Sequence, residues 1–177
     1  DGNNKKITNM TISDATTYQM VRGVGMFVKF EGTIKDLELN VSVADTLPTA
    51  PTQNDNFMGG LVAFMGEGRI SNCKANFTTS QGYGGNESVG GMIGKITTSA
   101  TVAIENSSAV ITRNDTATQN IGGFVGSVNG NLRISNCSNA GSNRGTNGLT
   151  GIGGYVGFSN TGSSVQVEDC VNKISGL

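Results

Sequence analysis

Apolar residues in this chain come in short bursts that open on glycine. The bursts read Gly25-Met26-Phe27-Val28, Gly60-Leu61-Val62-Ala63, Gly91-Met92-Ile93-Gly94, Gly123-Phe124-Val125-Gly126 and Gly154-Tyr155-Val156-Gly157. Each is followed by a second phrase that ends in Asn or Asp beside a small or apolar residue, as in Arg69-Ile70-Ser71-Asn72-Cys73 and Leu132-Arg133-Ile134-Ser135-Asn136-Cys137. Successive bursts start 35, 31, 32 and 31 residues apart. A fixed period of roughly 20–50 residues marks a stacked or radial repeat fold. No stretch keeps a helical period over ten residues, which removes helical solenoids. A propeller blade needs four strands and about 40–45 residues. The shorter period here holds two or three short strands with turns. The predicted fold is therefore all-β: a parallel β-helix (β-solenoid) of about five rungs with 31–35-residue repeats. Residues 1–177 form one such domain, with 1–22 as an N-terminal half-rung and connector and 23–177 as the repeats.

The non-repeating parts are few. Residues 1–6 are polar and expected to be loose, and Ile7 to Ile12 reads as a second phrase without its first. Ser13 to Arg22 reads as a connector. Leu37, Leu39, Val41 and Val43 alternate with polar residues, the mark of a half-buried strand. Residues 44–56 carry both prolines, Pro48 and Pro51, and are expected to loop out of the sheet because proline removes a ladder donor. With 79–88 and 140–150 they form three insertions at equivalent places, which a solenoid sends to one side. Binding commonly resides on such loops. Asp45, Gln53, Tyr83, Asn86 and Arg144 are the candidate contact residues.

Stacking implies columns of like residues. Met26, Leu61, Met92, Phe124 and Tyr155 read as a core ladder, and so do Phe27, Val62, Ile93, Val125 and Val156. Simple alternation cannot bury both, so either a second layer covers this sheet or a bulge breaks the alternation. Small residues at Ala63, Gly94, Gly126 and Gly157 would let the opposite wall approach. The column Asn9, Asp36, Asn72, Asn106, Asn136 and Asp169 predicts a corner, since Asn and Asp tolerate left-handed backbone. Next to it run Met10, Leu37, Cys73, Ser107, Cys137 and Cys170, where cysteine is expected to act as a small buried hydrophobe.

Composition narrows the chemistry. There are 27 glycines, roughly twice normal usage, but their fixed places argue against a disordered chain. The net charge is -1, which leaves no footprint for nucleic acid or an anionic membrane. No apolar run approaches the roughly 20 residues that span a bilayer. The start at Asp1-Gly2-Asn3-Asn4 reads as a mature or trimmed chain. The 3 cysteines fit neither a disulfide framework nor a zinc motif, and histidine, the commonest general base, is missing. No metal or cofactor motif is present. Carboxylates are the only catalytic candidates: Glu105 and Glu168 share a column across Ser135, and Arg69 and Arg133 share one across Ala103. Two rungs would put the carboxylates on the order of 10 Å apart, near the roughly 6.5–9.5 Å of inverting glycosidases.

The glycine–apolar–Val–Gly phrase followed by Ile-x-Asn-Cys resembles the GLUG repeat of bacterial surface proteins. The likeness is closest at Gly122 to Gly126 with Ile134 to Cys137, and at Gly153 to Gly157; it is looser at 25–43, where Leu37 replaces the cysteine. The resemblance spans residues 23–174 and implies a secreted or surface-anchored bacterial protein, located extracellularly or on the cell surface. It implies a non-enzymatic adhesion or spacer module, with a host glycan or surface protein as partner, and with flanking domains or end-to-end self-association. It transfers no catalytic residue. The rival expectation is a carbohydrate-active or carbohydrate-binding β-helix protein.

Overall fold

The computed structural model describes residues 1–12, 21–43, 55–79, 87–113, 120–143 and 151–175. Within them the chain is a parallel β-solenoid. A leading strand, β1 (Lys5–Ile12), precedes five coils. The first coil is β2 (Val21–Val24), β3 (Phe27–Lys35) and β4 (Leu37–Val43). The second is β5 (Asp55–Gly59), β6 (Val62–Ser71) and β7 (Lys74–Thr79). The third is β8 (Glu87–Gly90), β9 (Ile93–Ile96), β10 (Thr101–Glu105) and β11 (Ser108–Arg113). The fourth is β12 (Asn120–Gly122), β13 (Val125–Val128), β14 (Asn131–Ser135) and β15 (Ser138–Asn143). The fifth is β16 (Gly151–Gly153), β17 (Val156–Ser159), β18 (Ser164–Glu168) and β19 (Val171–Ser175).

These stack into three parallel walls. One runs β1-β4-β7-β11-β15-β19, and a second β2-β5-β8-β12-β16. The third begins with the long β3 and β6, whose two halves continue as β9-β13-β17 and β10-β14-β18. The five-stranded wall makes four coil-to-coil steps, close to the five rungs expected from the period.

The two apolar columns are both buried because the chain turns a corner between them. Gly60 and Leu61 form a bend between β5 and β6, and the N–H groups of Leu61 and Val62 both donate to Met92 O at 3.0 Å. Met92 and Ile93 do the same to Phe124 O, and Phe124 and Val125 to Tyr155 O. Two consecutive amides on one carbonyl break the period of two, so Leu61 and Val62 both point inward and are fully buried. This is the bulge-like break, and among the described residues no second layer covers the sheet. The first such corner is one residue shorter: Val24 pairs with Met58, yet Phe27 pairs with Val62. The small column also behaves as expected. A Cβ on Gly94 would meet Met58 N at 2.7 Å and Ala63 O at 2.8 Å, so only glycine admits the facing backbone there.

The core fills the space between the walls. Leu39, Met58, Leu61, Met65, Ile70, Phe77, Met92, Ile104, Ile111, Phe124 and Ile134 are all sealed from solvent. Each such side chain contributes about 1.5–3 kcal/mol relative to exposure. The alternation of β4 is as predicted, with Leu37, Leu39, Val41 and Val43 inward. The last coil is uncovered: Val165, Val167 and Val171 are 37%, 39% and 51% exposed, whereas Leu132 and Ile134 one coil earlier are 2% and 0%.

Two expectations at the N-terminus are corrected. Residues 1–6 are not loose: Gly2 N–H donates to Lys35 O at 2.8 Å, Asn4 N–H to Asp36 O at 2.9 Å, and Lys5 opens β1. Ile7 to Ile12 does form a strand on β4, but in a shifted register. Lys5 pairs with Leu37, and a bulge between Ile7 and Met10 puts Met10 on Val41. Asn9 takes its left-handed conformation (φ 57°) at that bulge, and Asn4 occupies the corner instead. Asn serves both places because its side chain tolerates this backbone wherever it is needed.

Candidate functional site

The corner between the third wall and the six-stranded wall carries the best-formed site. Asn4, Asp36, Asn72, Asn106, Asn136 and Asp169 all adopt φ between 48° and 57°. Their main-chain amides climb the stack: Asp36 N–H donates to Ser71 O, Asn72 to Glu105 O, Asn106 to Ser135 O and Asn136 to Glu168 O, at 3.1–3.2 Å. Asn72, Asn106 and Asn136 thus stand in single file, one per coil.

Outside this file lies an open groove of about 560 Å³, bounded by Asn4, Asp36, Asn72, Asn106 and Asn136 on one bank. Lys5, Glu38, Lys74, Ser108 and Ser138 line the other. It crosses the leading strand and four coils, roughly 19 Å at a strand spacing of about 4.8 Å. The Asn72 amide is engaged, donating to Asp36 Oδ1 at 2.9 Å. The Asn106 and Asn136 side chains are exposed and make no hydrogen bond within the described residues. Charge in the groove is balanced. Glu38 Oε1 lies 2.7 Å from Lys6 Nζ and 3.6 Å from Lys74 Nζ. The Lys6 hydrogen bond, with help from Lys74, holds the Glu38 carboxyl below its ordinary range.

The column behind the corner does more than fill space. Cys73 N–H donates to Ser107 Oγ at 3.1 Å, Ser107 N–H to Cys137 Sγ at 3.4 Å, and Cys137 N–H to Cys170 Sγ at 3.3 Å. Each hydroxyl or thiol in turn donates to the carbonyl two residues back: Cys73 to Ser71, Ser107 to Glu105, Cys137 to Ser135 and Cys170 to Glu168. The side chain of each coil therefore satisfies an amide left open by the corner below it. Size alone was the sequence expectation. The shared capacity of Cys and Ser to accept and donate explains why they interchange here. All three thiols are free; Cys73 and Cys137 are buried as expected, while Cys170, in the uncovered last coil, is only partly buried. Burial pushes Cys73 up, and pushes Cys137 up to about 11.

This arrangement predicts that Cys137→Ser costs little, while Cys137→Val orphans the Ser107 amide and costs about 1–3 kcal/mol. Thermal melts of the two variants distinguish them. The wild type holds the Cys137 proton beyond the thiol's ordinary value of 9.0. Its contribution is fully present below pH 9 and is lost as pH rises toward about 11. The melting temperature of wild type should fall more than that of Cys137→Ser across this window. Equal falls would sink the assignment.

The carboxylate columns are placed as predicted. Glu105 pairs with Ser135 and Ser135 with Glu168; Arg69 and Arg133 flank Ala103. Their partners run diagonally between columns: Arg69 bonds Glu105, and Arg133 Nη2 lies 2.8 Å from Glu168 Oε2. Both members of the second pair are more than half exposed, so it is worth about 0.2–1 kcal/mol. The loop candidates Asp45, Gln53, Tyr83, Asn86 and Arg144 lie outside the described residues. At the loop margins, Asp55 and Asn56, Thr79, Glu87 and Ser88, and Ala140 to Asn143 belong to strands. Arg113 escaped sequence reasoning altogether. It ends β11 fully buried, and its inward parity after Ala109 and Ile111 was the available signal.

Among the described residues no three His, Cys, Asp or Glu side chains gather to hold a metal ion, and no helix is long and apolar enough to cross a membrane. No protein-family model, curated protein or solved structure matches the chain.

Proposed function

We propose that the chain is a non-enzymatic adhesion or spacer module of a secreted or surface-anchored bacterial protein. The observation that carries this reading is the in-register repetition itself. Each coil repeats the same corner, and four of them line the groove, so the polar groups are strung along the axis instead of converging on one reacting point. A rigid stack of this kind suits a surface protein that must hold a binding face away from its anchor. The GLUG-like phrases point the same way. A carbohydrate-binding role is the second reading, favoured by the polar groove. Hydrolysis through Glu105 and Glu168 is the third, and each of these carboxylates is already engaged by an arginine.

Beads coated with the chain, applied to epithelial cells and to a glycan array, test the proposal. An adhesin attaches, and replacing residues 44–54 with a short Gly-Ser linker or altering the groove lowers attachment. A spacer does not attach in any form. Release of reducing sugar that disappears in Glu105→Gln and Glu168→Gln would overturn the non-enzymatic reading.

A further inference from the structure

We infer that the axial groove at the Asn corner binds a linear, uncharged polysaccharide lying parallel to the solenoid axis. This rests on the adhesive reading of the module and gives it a ligand class and a site. Three observations select the class.

The first is spacing. Asn72, Asn106 and Asn136 recur once per coil, and Lys74, Ser108 and Ser138 recur opposite them. A ligand whose own repeat is close to the coil spacing makes the same contact at every coil. A chain of equatorially linked six-membered sugar rings advances by nearly that interval per ring, so each coil meets one ring, with hydroxyls on either edge as successive rings turn over. An extended peptide repeats its side chains every two residues, roughly 6.6 Å, and drifts out of step within two coils.

The second is charge. Lys5 and Lys74 face Asp36 across the groove, and Glu38, on the same bank as the two lysines, is bound by Lys6 and Lys74. The balance offers nothing to a polyanion or a polycation. Amides and hydroxyls remain, and these match sugar hydroxyls as donors and acceptors.

The third is availability. The Asn106 and Asn136 side-chain amides are exposed and carried on left-handed backbone at fixed positions, with no hydrogen bond inside the described protein. Among the described residues no aromatic side chain lines the groove, so attraction there comes from repeated hydrogen bonds. Affinity should therefore build with chain length and level off at about five rings, the number of strands that the groove crosses.

The double variant Asn106→Gly/Asn136→Gly tests the site. Glycine accepts the same positive φ, so the backbone keeps its corner while the amides are removed. Titration calorimetry with neutral xylo-, manno- and gluco-oligosaccharides of two to eight rings should show affinity rising to about five rings and at least a tenfold loss in the double variant. Its melting temperature should stay within a few degrees of wild type. Equal binding by wild type and variant would overturn the inference while leaving the adhesive reading intact. So would binding only to polygalacturonate or to an extended decapeptide. Attachment to cells without any neutral-oligosaccharide binding would likewise sink the inference alone, whereas no binding in any assay would sink both.

Discussion

Gly122→Ala should cost about 3 kcal/mol or more, at or beyond the top of the usual range for overpacking. A Cβ at this position would lie 2.0 Å from Val125 O and 2.6 Å from Gly157 N. Both are backbone atoms, so no side chain can rotate away. The same holds along the file: a Cβ on Gly59 would meet Val62 O at 2.2 Å, and one on Gly90 would meet Ile93 O at 2.0 Å. These glycines pair with one another from coil to coil, so a shift in one is passed to the next. Gly162 is the control. It has φ 85°, and a methyl added there would meet nothing within 4 Å, so Gly162→Ala should cost only about 1–2 kcal/mol of backbone strain. Urea melts of the two variants give the comparison. Equal midpoints would mean that the corner is far more compliant than its geometry implies.

Arg113→Ala is the second large effect, expected at about 2–5 kcal/mol for truncating a fully buried long side chain. The side chain is 0% exposed and sits in register with Thr79 and Asn143 at the ends of their strands. Truncation opens a void and strips the guanidinium from the groups that it engages. Arg113→Met refills most of the volume without the charge. If packing dominates, methionine should recover most of the loss; if the polar interactions of the guanidinium dominate, both variants should melt alike. A loss below about 1 kcal/mol in Arg113→Ala, the scale of an ordinary surface change, would show that the wall closes without this side chain.

The period, the parallel stacking and the Asn corner were legible in the residues because each column repeats one physical demand. Left-handed backbone at Asp36, Asn72, Asn106 and Asn136 selects the same two residue types every time. What was hidden involves coupling between columns or a change of register. The Arg69–Glu105 and Arg133–Glu168 pairs join neighbouring columns in different coils, so neither column alone betrays them. Asn9 fits the corner pattern by its neighbours, but β1 meets Leu37 at Lys5, which gives the corner to Asn4 and leaves Asn9 at the bulge five residues later. The thiol and hydroxyl column shows its sizes in the sequence, while its bonds to the amides of the coil below need coordinates. The groove arises between two walls and belongs to no single phrase. A further regularity emerges only from the register: Thr11, Ser42, Thr78, Thr112, Ser142 and Ser175 form an outward file of hydroxyls on the six-stranded wall.

Every strand in the stack pairs with residues about one repeat away, from Lys5 on Leu37 to Asn139 on Asn172. The entropy of closing a loop depends on its length, so each new turn of the solenoid meets nearly the same barrier as the last. Assembly can proceed turn by turn, each thirty-odd residues locking onto the turn before. In evolutionary terms, coil number becomes a quantity that whole-repeat duplication or loss can tune without redesigning the fold.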